Sequence, residues 1–166
     1  MASACSGLQD SGGPTPTDPA TAKLLDFTTG SNNGIEIKSS SDVSKLAGVS
    51  DDFKNFIAGK IETLSAAEDV DDPCPSYMVI VKAFDPAGFA IGSELSPGCG
   101  GAAYMWARRA GVWEEIWGGQ EMPSCSDMAK ARVPKEIYAV FSKGISGGEQ
   151  TGECYDGAFR SVEYSG

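Results

Sequence analysis

Cysteine is the residue that most constrains how this chain can fold. Besides Cys5, the sequence has four cysteines at intervals of 25, 26 and 29 residues, namely Cys74, Cys99, Cys125 and Cys154. They form no Cys-x-x-Cys pair, which argues against a zinc ribbon or a thioredoxin-type site, so we predict two disulfides. Four cysteines allow three pairings. We favour Cys74–Cys99 with Cys125–Cys154 because each closes a loop between neighbouring elements, contributing about 3 kcal/mol in the chain-entropy model. Four free thiols in a cytosolic protein are the alternative.

The N-terminal residues have the composition of a tether. The stretch Ala2-Ser3-Ala4-Cys5-Ser6-Gly7 resembles the end of a bacterial lipobox, and this resemblance implies that Cys5 carries a lipid once a signal peptide is removed. Residues 6–22 contain a single large apolar side chain and no basic residue, too little apolar surface to offset the entropy of ordering. We predict a disordered lipoprotein tether over 1–22 and one disulfide-bonded domain over 23–166. A stray cysteine in a disordered tail is the alternative for Cys5.

The charge of the chain excludes one class of partner. The formal net charge is −10 and no basic stripe offsets it, so we expect no binding to nucleic acid, which draws mainly on clustered Lys and Arg. No apolar run of about 20 residues occurs, and a membrane is therefore expected to be contacted only through the N-terminal lipid.

Hydrophobic periodicity predicts an α+β fold. Ser50 can cap a helix that begins at Asp51, and its apolar residues recur every three or four positions as far as Leu64. An edge strand is predicted at Gly34–Lys38. Four further strands are predicted at Tyr77–Phe84, Phe89–Leu95, Ala102–Arg109 and Val112–Trp117, and short helices at Met128–Arg132 and Lys135–Phe141. We therefore expect an N-terminal helix packed on one face of a four-stranded antiparallel meander, followed by short C-terminal helices.

One stretch of the sequence resembles a known group of proteins. Residues 111–125, Gly-Val-Trp-Glu-Glu-Ile-Trp-Gly-Gly-Gln-Glu-Met-Pro-Ser-Cys, precede a Val133-Pro134 pair. This pattern is similar to secreted and lipid-anchored proteins of actinobacteria that are largely without assigned activity. The resemblance implies an extracytoplasmic location and supports a bond between Cys125 and a later cysteine. In those proteins that cysteine closely follows the Val-Pro helix, whereas here Cys154 follows a Gly-rich stretch over 142–152.

The sequence contains few of the residue patterns that are typical of catalytic or metal-binding sites. The chain has no histidine, which removes the commonest general base and the commonest metal ligand, and no serine lies three residues before a lysine. Acidic residues at 68, 69, 71 and 72 could gather around Ca²⁺, but Pro73 falls where an EF-hand would place its third ligand. We expect no cofactor and no metal, and we consider catalysis less favoured than binding.

Aromatic residues on two neighbouring strands are the candidate binding site. Alternation along a strand places Tyr104, Trp106 and Arg108 on one face, and Trp113, Glu115 and Trp117 on one face of the next strand. Such a surface suits a sugar, peptide or protein partner. The competing interpretation, which we favour, is that this face packs beneath the helix as core.

Three functional hypotheses follow from the sequence. The leading one is a non-enzymatic, lipid-anchored domain of the bacterial cell envelope that binds an envelope protein or cell-wall component through an open sheet face or the Gly-rich stretch. The second is a small-ligand carrier or enzyme with a pocket between helix and sheet. A closed cavity lined by Tyr104 or Trp106 would support this hypothesis. The third is a secreted inhibitor that displays the loop Ser96–Gly101.

Overall fold

The computed structural model describes residues 23–29, 33–66, 74, 77–145, 152–158 and 160–166. The predicted tether with Cys5, the acidic loop at 68–72 and most of the Gly-rich stretch lie outside these residues.

Eight strands and three α-helices make up the described chain. The strands are β1 (Leu25–Asp26), β2 (Ile35–Ile37), β3 (Met78–Asp85), β4 (Phe89–Ser96), β5 (Gly100–Arg109), β6 (Val112–Gly119), β7 (Glu153–Tyr155) and β8 (Ser161–Glu163). The helices are α1 (Asp51–Ala66), α2 (Cys125–Ala131) and α3 (Lys135–Ile145), and a 3₁₀ helix at Ser40–Lys45 precedes α1.

The main sheet is antiparallel and has six strands. Strands β3 to β6 form the predicted meander, and β1 and β2 both pair with β3, each along a different part of it. The α+β class, the antiparallel sheet and the helices are confirmed. The predicted four-strand sheet is wrong in number, because the short segments β1 and β2 join it at the β3 edge. Strands β7 and β8 pair in a separate hairpin.

Helix α1 covers one face of the sheet. Its apolar stripe buries Phe53, Ile57 and Ile61 against sheet residues that include Val79 and Trp106. Each large apolar side chain buried in this way contributes about 1.5–3 kcal/mol. The predicted packing of the N-terminal helix on the sheet is therefore observed.

Helices α2 and α3 cover the opposite face. Met128, Ile137 and Phe141 form a second core with Ile91 and Met105 of the sheet. The expectation of one covered and one open face is wrong, because α3 presents its apolar stripe to the face that the sequence left unassigned. The molecule has three layers, with the sheet in the middle.

Both predicted disulfides are confirmed. Cys74 and Cys99 lie with their Cα atoms 5.9 Å apart and join the chain before β3 to the β4–β5 turn. Cys125 and Cys154, 5.1 Å apart at Cα, join the start of α2 to β7. Two disulfides indicate an oxidising, extracytoplasmic environment. Within the described part of the chain, no helix is both long and apolar enough to span a bilayer.

Candidate functional site

Two of the predicted aromatic site residues are core residues. Trp106 is fully buried and Trp113 is 7% exposed, both beneath α1, where the Phe53 ring lies 4.6 Å from the Trp113 ring between centroids. The interpretation of this face as core is confirmed for these two residues. Neither side chain is open to a partner.

Trp117 lies on the opposite face from Trp113. Met105 pairs with Trp117, but the next residue, Trp106, pairs with Glu115, so one residue of β6 is left over in a β-bulge. Trp117 consequently packs against Phe141 of α3, with ring centroids 5.2 Å apart and planes at 87°. The expectation that Trp113, Glu115 and Trp117 share a face is wrong, because regular alternation does not continue through the bulge.

Arg108 takes part in a polar contact at the start of α1. Its Nε atom lies 2.9 Å from Oδ2 of Asp52, and Trp113 Nε1 donates to the same oxygen at 3.1 Å. Hydrogen bonding from Ser50 lowers the pKa of Asp52, and the Trp113 and Arg108 contacts lower it further against the opposing effect of burial. This arrangement ties the first turn of α1 to β5 and β6, which is a structural role.

Of the remaining predicted residues, Tyr104 lines a groove beside α1, and Glu115 contacts Lys60 at the polar centre of that groove. We call it the α1 groove and define it by residues that line it or contact its polar centre: Phe56, Lys60, Leu64, Glu94, Tyr104 and Glu115. One part, of about 460 Å³, runs along α1 beside Lys60 and Glu94. A second part, of about 390 Å³, extends from Leu64 and Tyr104 to the Cys74–Cys99 disulfide. Both parts are open to solvent, and neither is a closed cavity.

The polar centre of the groove is an ion-pair cluster. Lys60 Nζ lies 2.6 Å from Oε1 of Glu94 and 3.3 Å from Oε2 of Glu115. The Glu94 oxygen is buried, and the Lys60 ammonium compensates its charge. Burial lowers the pKa of Lys60, but the contacts with Glu94 and Glu115 outweigh it and leave the pKa above its ordinary value. Burial also raises the pKa of Tyr104, and the two carboxylates add to that increase.

Aromatic rings enclose the same ammonium group. Lys60 Nζ lies 5.3 Å from the centroid of the Tyr104 ring and 5.8 Å from that of Phe56. Contacts of this kind are attractive because the ring faces carry negative electrostatic potential. The Tyr104 ring in turn lies parallel to the buried Trp106 ring, with centroids 6.3 Å apart. The cluster therefore holds a positive charge between two carboxylates and two rings, and its position is fixed by the core beneath it.

Sequence reasoning missed Lys60 and Glu94. A signal for Lys60 exists, since it lies four residues after Phe56 and four before Leu64, inside the apolar stripe of α1. Glu94 alternates with Ala90 and Gly92 and so faces α1 too. A lysine and a glutamate on facing apolar surfaces are the pattern that could have identified the site.

A second groove lies elsewhere, between β6 and α2. It has a volume of about 720 Å³ and is lined by side chains of both signs, among them Arg109, Glu114, Asp127 and Lys130. Arg109 donates to the carbonyl of Ala131 and is thereby fixed to the end of α2. Its lining also includes Glu115, Ile116 and Ala131 but, unlike that of the α1 groove, no aromatic residue.

Fold and site together define a two-disulfide α+β domain with a lateral groove built around a lysine and two glutamates. No group of three or more potential metal-binding side chains occurs in the residues that the structure describes. Comparison of the chain with protein-family models, with curated proteins and with solved structures gave no match.

Proposed function

We propose that this chain is a non-enzymatic, lipid-anchored binding domain of the bacterial cell envelope, and that it takes its ligand in the α1 groove. The single observation that carries the choice of site is the open groove beside Lys60, Glu94 and Tyr104. At this point apolar walls, aromatic rings and charged groups converge on one open volume. Part of the sheet at β4 and β5 also borders an open volume, of about 430 Å³, but the lining of that volume has no aromatic ring and no basic side chain.

Extracytoplasmic anchoring has separate support. The disulfides fit an oxidising compartment, the stretch around Cys5 resembles a lipobox, and residues 6–22 have the composition of a linker. The similarity of residues 111–125 to secreted and lipid-anchored actinobacterial proteins agrees with this location. An envelope protein or a cell-wall component is then the expected source of the ligand.

The electrostatics of the groove favour binding over catalysis. A lysine nucleophile or a tyrosine base needs a lowered pKa, whereas the pKa values of Lys60 and Tyr104 are both raised. The two carboxylates moreover hold Lys60 in its protonated form, and a protonated amine has no lone pair with which to attack. The secreted-inhibitor hypothesis is consistent with the exposed, disulfide-held turn at residues 97–101, but besides Cys99 this turn carries only Pro97 and glycines and so offers a partner few side chains.

The site is tested by NMR titration of the ¹⁵N-labelled domain with aliphatic, aromatic, sugar and peptide fragments. We expect fragments to perturb backbone resonances around Leu64, Glu94 and Tyr104. Leu64→Trp should fill the groove and abolish these perturbations, whereas Val112→Trp, at an exposed position on the far end of β6, should leave them unchanged. Perturbations confined to the β6–α2 groove would overturn the choice of site.

The anchor is tested by intact mass on protein expressed from its own gene in a bacterial host. A diacylglycerol-sized mass increase that disappears in Cys5→Ser is the expected result. An unmodified Cys5 would remove the anchor from the proposal and leave a secreted binding domain.

A further inference from the structure

The α1 groove already binds a primary ammonium group, namely that of Lys60. Two carboxylates and two aromatic rings surround this group, at the distances given above. Carboxylates beside ring faces are the surroundings that ammonium ions select, through charge-assisted hydrogen bonds and cation–π contacts. The intramolecular contact therefore shows which chemistry this place stabilises.

The charges at this place do not balance. Glu94 and Glu115 bring two negative charges, and among the described residues Lys60 is the one cation in ion-pair contact with them. Arg108, on the same face of β5 as Tyr104, is paired with Asp52. One negative charge is left over in a partly enclosed site, on a chain whose formal net charge is −10. Both the local and the overall field attract a cation and repel an anion.

Apolar surface extends away from the charged centre. The part of the groove that reaches the disulfide includes Leu64 and Tyr77 in its lining, with Glu94 and Tyr104 at the charged end. A ligand that fits must therefore place an aliphatic segment along Leu64 and Tyr77 and a positive group at the carboxylates.

We propose that the α1 groove takes a ligand with a primary ammonium group on an aliphatic chain, and that this ammonium binds Glu94 in competition with Lys60. The inference rests on the proposed binding function of the groove and names the class of ligand. A free alkylamine and a lysine side chain within a peptide share this chemistry.

The first experiment compares four probes by NMR titration of the wild-type domain. Hexylammonium carries the charge and the chain, hexanol keeps the chain without the charge, and hexanoate reverses the charge. Nα-acetyl-lysine amide carries the ammonium on a peptide unit. We expect hexylammonium to perturb the resonances of Leu64, Glu94 and Tyr104 at concentrations on the order of tenfold below those that hexanol needs, because a charge-assisted hydrogen bond is added. Hexanoate should bind more weakly than hexanol.

Variants separate competition by Lys60 from a purely structural role. Lys60→Met keeps most of the aliphatic stem and removes the competing charge, so hexylammonium should bind on the order of tenfold more tightly, while hexanol should change little. Glu94→Gln should weaken hexylammonium binding and leave hexanol binding unchanged. The matched control is Glu114→Gln, which removes a carboxylate from the β6–α2 groove instead.

The double variant Lys60→Met/Glu94→Gln guards against loss of folding, because it leaves no buried charge unpaired. Because Glu115 remains, it should keep a preference for hexylammonium over hexanol that is smaller than the preference of Lys60→Met. Equal binding of these two probes to the wild type, or preferential binding of hexanoate, would overturn the ammonium inference while the groove remains the binding site. If none of the probes or fragments perturbs the groove, the proposed function fails as well. Binding of the lysine amide as tightly as hexylammonium would assign the ligand to a peptide, and weaker binding would assign it to a free amine.

Discussion

Gly92 lies in the middle of β4 directly beneath the Trp106 ring, and the space there admits no side chain. A Cβ atom at this position would lie 2.6 Å from Cη2 of Trp106 and would collide with the carbonyl oxygen of Ile80. Gly92→Ala must therefore displace the strand or the buried ring, and we expect it to lower the free energy of unfolding by about 2–3 kcal/mol. Urea denaturation followed by tryptophan fluorescence measures the change.

Gly59 is the matched control for Gly92. It lies in the interior of α1, and a Cβ atom there would meet nothing within 4 Å. Since alanine loses less backbone entropy than glycine on forming a helix, Gly59→Ala should raise the free energy of unfolding by about 0.5–1 kcal/mol. Equal and small effects of the two substitutions would contradict the close contact described for Gly92.

The carboxylate of Asp52 makes the stability of the fold depend on pH. Its pKa is lowered in the folded state by Ser50, Trp113 and Arg108, so its ionised form favours folding above the ordinary carboxyl pKa of 3.8. That contribution is lost as the pH falls below this value and through the lower folded pKa. Because the side chain is about one-third exposed, solvent screening reduces the effect, and we expect Asp52→Asn to cost about 1 kcal/mol at pH 7.

The difference between Asp52→Asn and the wild type should shrink steadily below about pH 4, as the wild-type carboxyl becomes protonated. Urea denaturation at several pH values measures it. Asp51→Asn is the control, since that carboxylate is almost fully exposed and lies 3.8 Å from Lys54. A pH-independent difference for Asp52→Asn would mean that the hydrogen bonds, and not the charge, carry its effect.

Among the elements, β6 has the local structure that regular alternation predicts least well. Its bulge places Trp117 against Phe141 of α3 instead of beneath α1. A double-mutant cycle with Trp117→Ala and Phe141→Ala should give a coupling energy of about 0.5–1.5 kcal/mol. Either substitution alone already removes the edge-to-face ring contact, so the second substitution costs less in the presence of the first. Trp117→Ala and Trp113→Ala should be additive within about 0.5 kcal/mol, since they lie on opposite faces. Coupling between the two tryptophans would contradict the bulge.

Sequence patterns predicted the elements better than they predicted their partners. The start of α1 at Asp51 and the four long strands follow from capping and periodicity, because these signals are local. The bulge in β6 adds one residue without any distinctive side chain, so it left no signal in the sequence. The stripe of α3, including Ile137 and Phe141, was visible as a helix, but only the three-dimensional structure shows that it covers the second face.

The candidate site was predicted only in part, for a related physical reason. Tyr104 was identified because aromatic residues are conspicuous in a strand, yet Trp106 and Trp113 on the same pattern are core. Alternation assigns a residue to a face, and the depth of burial on that face depends on how the opposite layer lies. That Tyr104 lines an open groove while Trp106 is fully buried is a property of packing that no local pattern encodes.

At the scale of the whole molecule, the two disulfides close loops of similar length but differ in their surroundings. The sequence separations are 25 and 29 residues, for which the chain-entropy model gives about 3–4 kcal/mol in both cases. Cys154 is fully buried in the second core, whereas Cys99 lies in an exposed turn at the edge of the α1 groove. Loop entropy alone therefore predicts that removing either disulfide lowers stability by the same amount, whereas packing predicts different losses.

Replacing Cys125 and Cys154 by alanine should consequently cost about 1 kcal/mol more than replacing Cys74 and Cys99, because it also leaves a cavity in the core that anchors β7 to α2. Urea denaturation of the two double variants measures the difference. Loss of Cys74–Cys99 should instead weaken fragment binding in the α1 groove, since this bond fixes one of its walls, and loss of Cys125–Cys154 should not. If the Cys74–Cys99 variant bound fragments as well as the wild type, the disulfide would be a stabilising crosslink that the groove does not need. If the two variants were equally destabilised, the burial of Cys154 would contribute no stability beyond that of closing its loop.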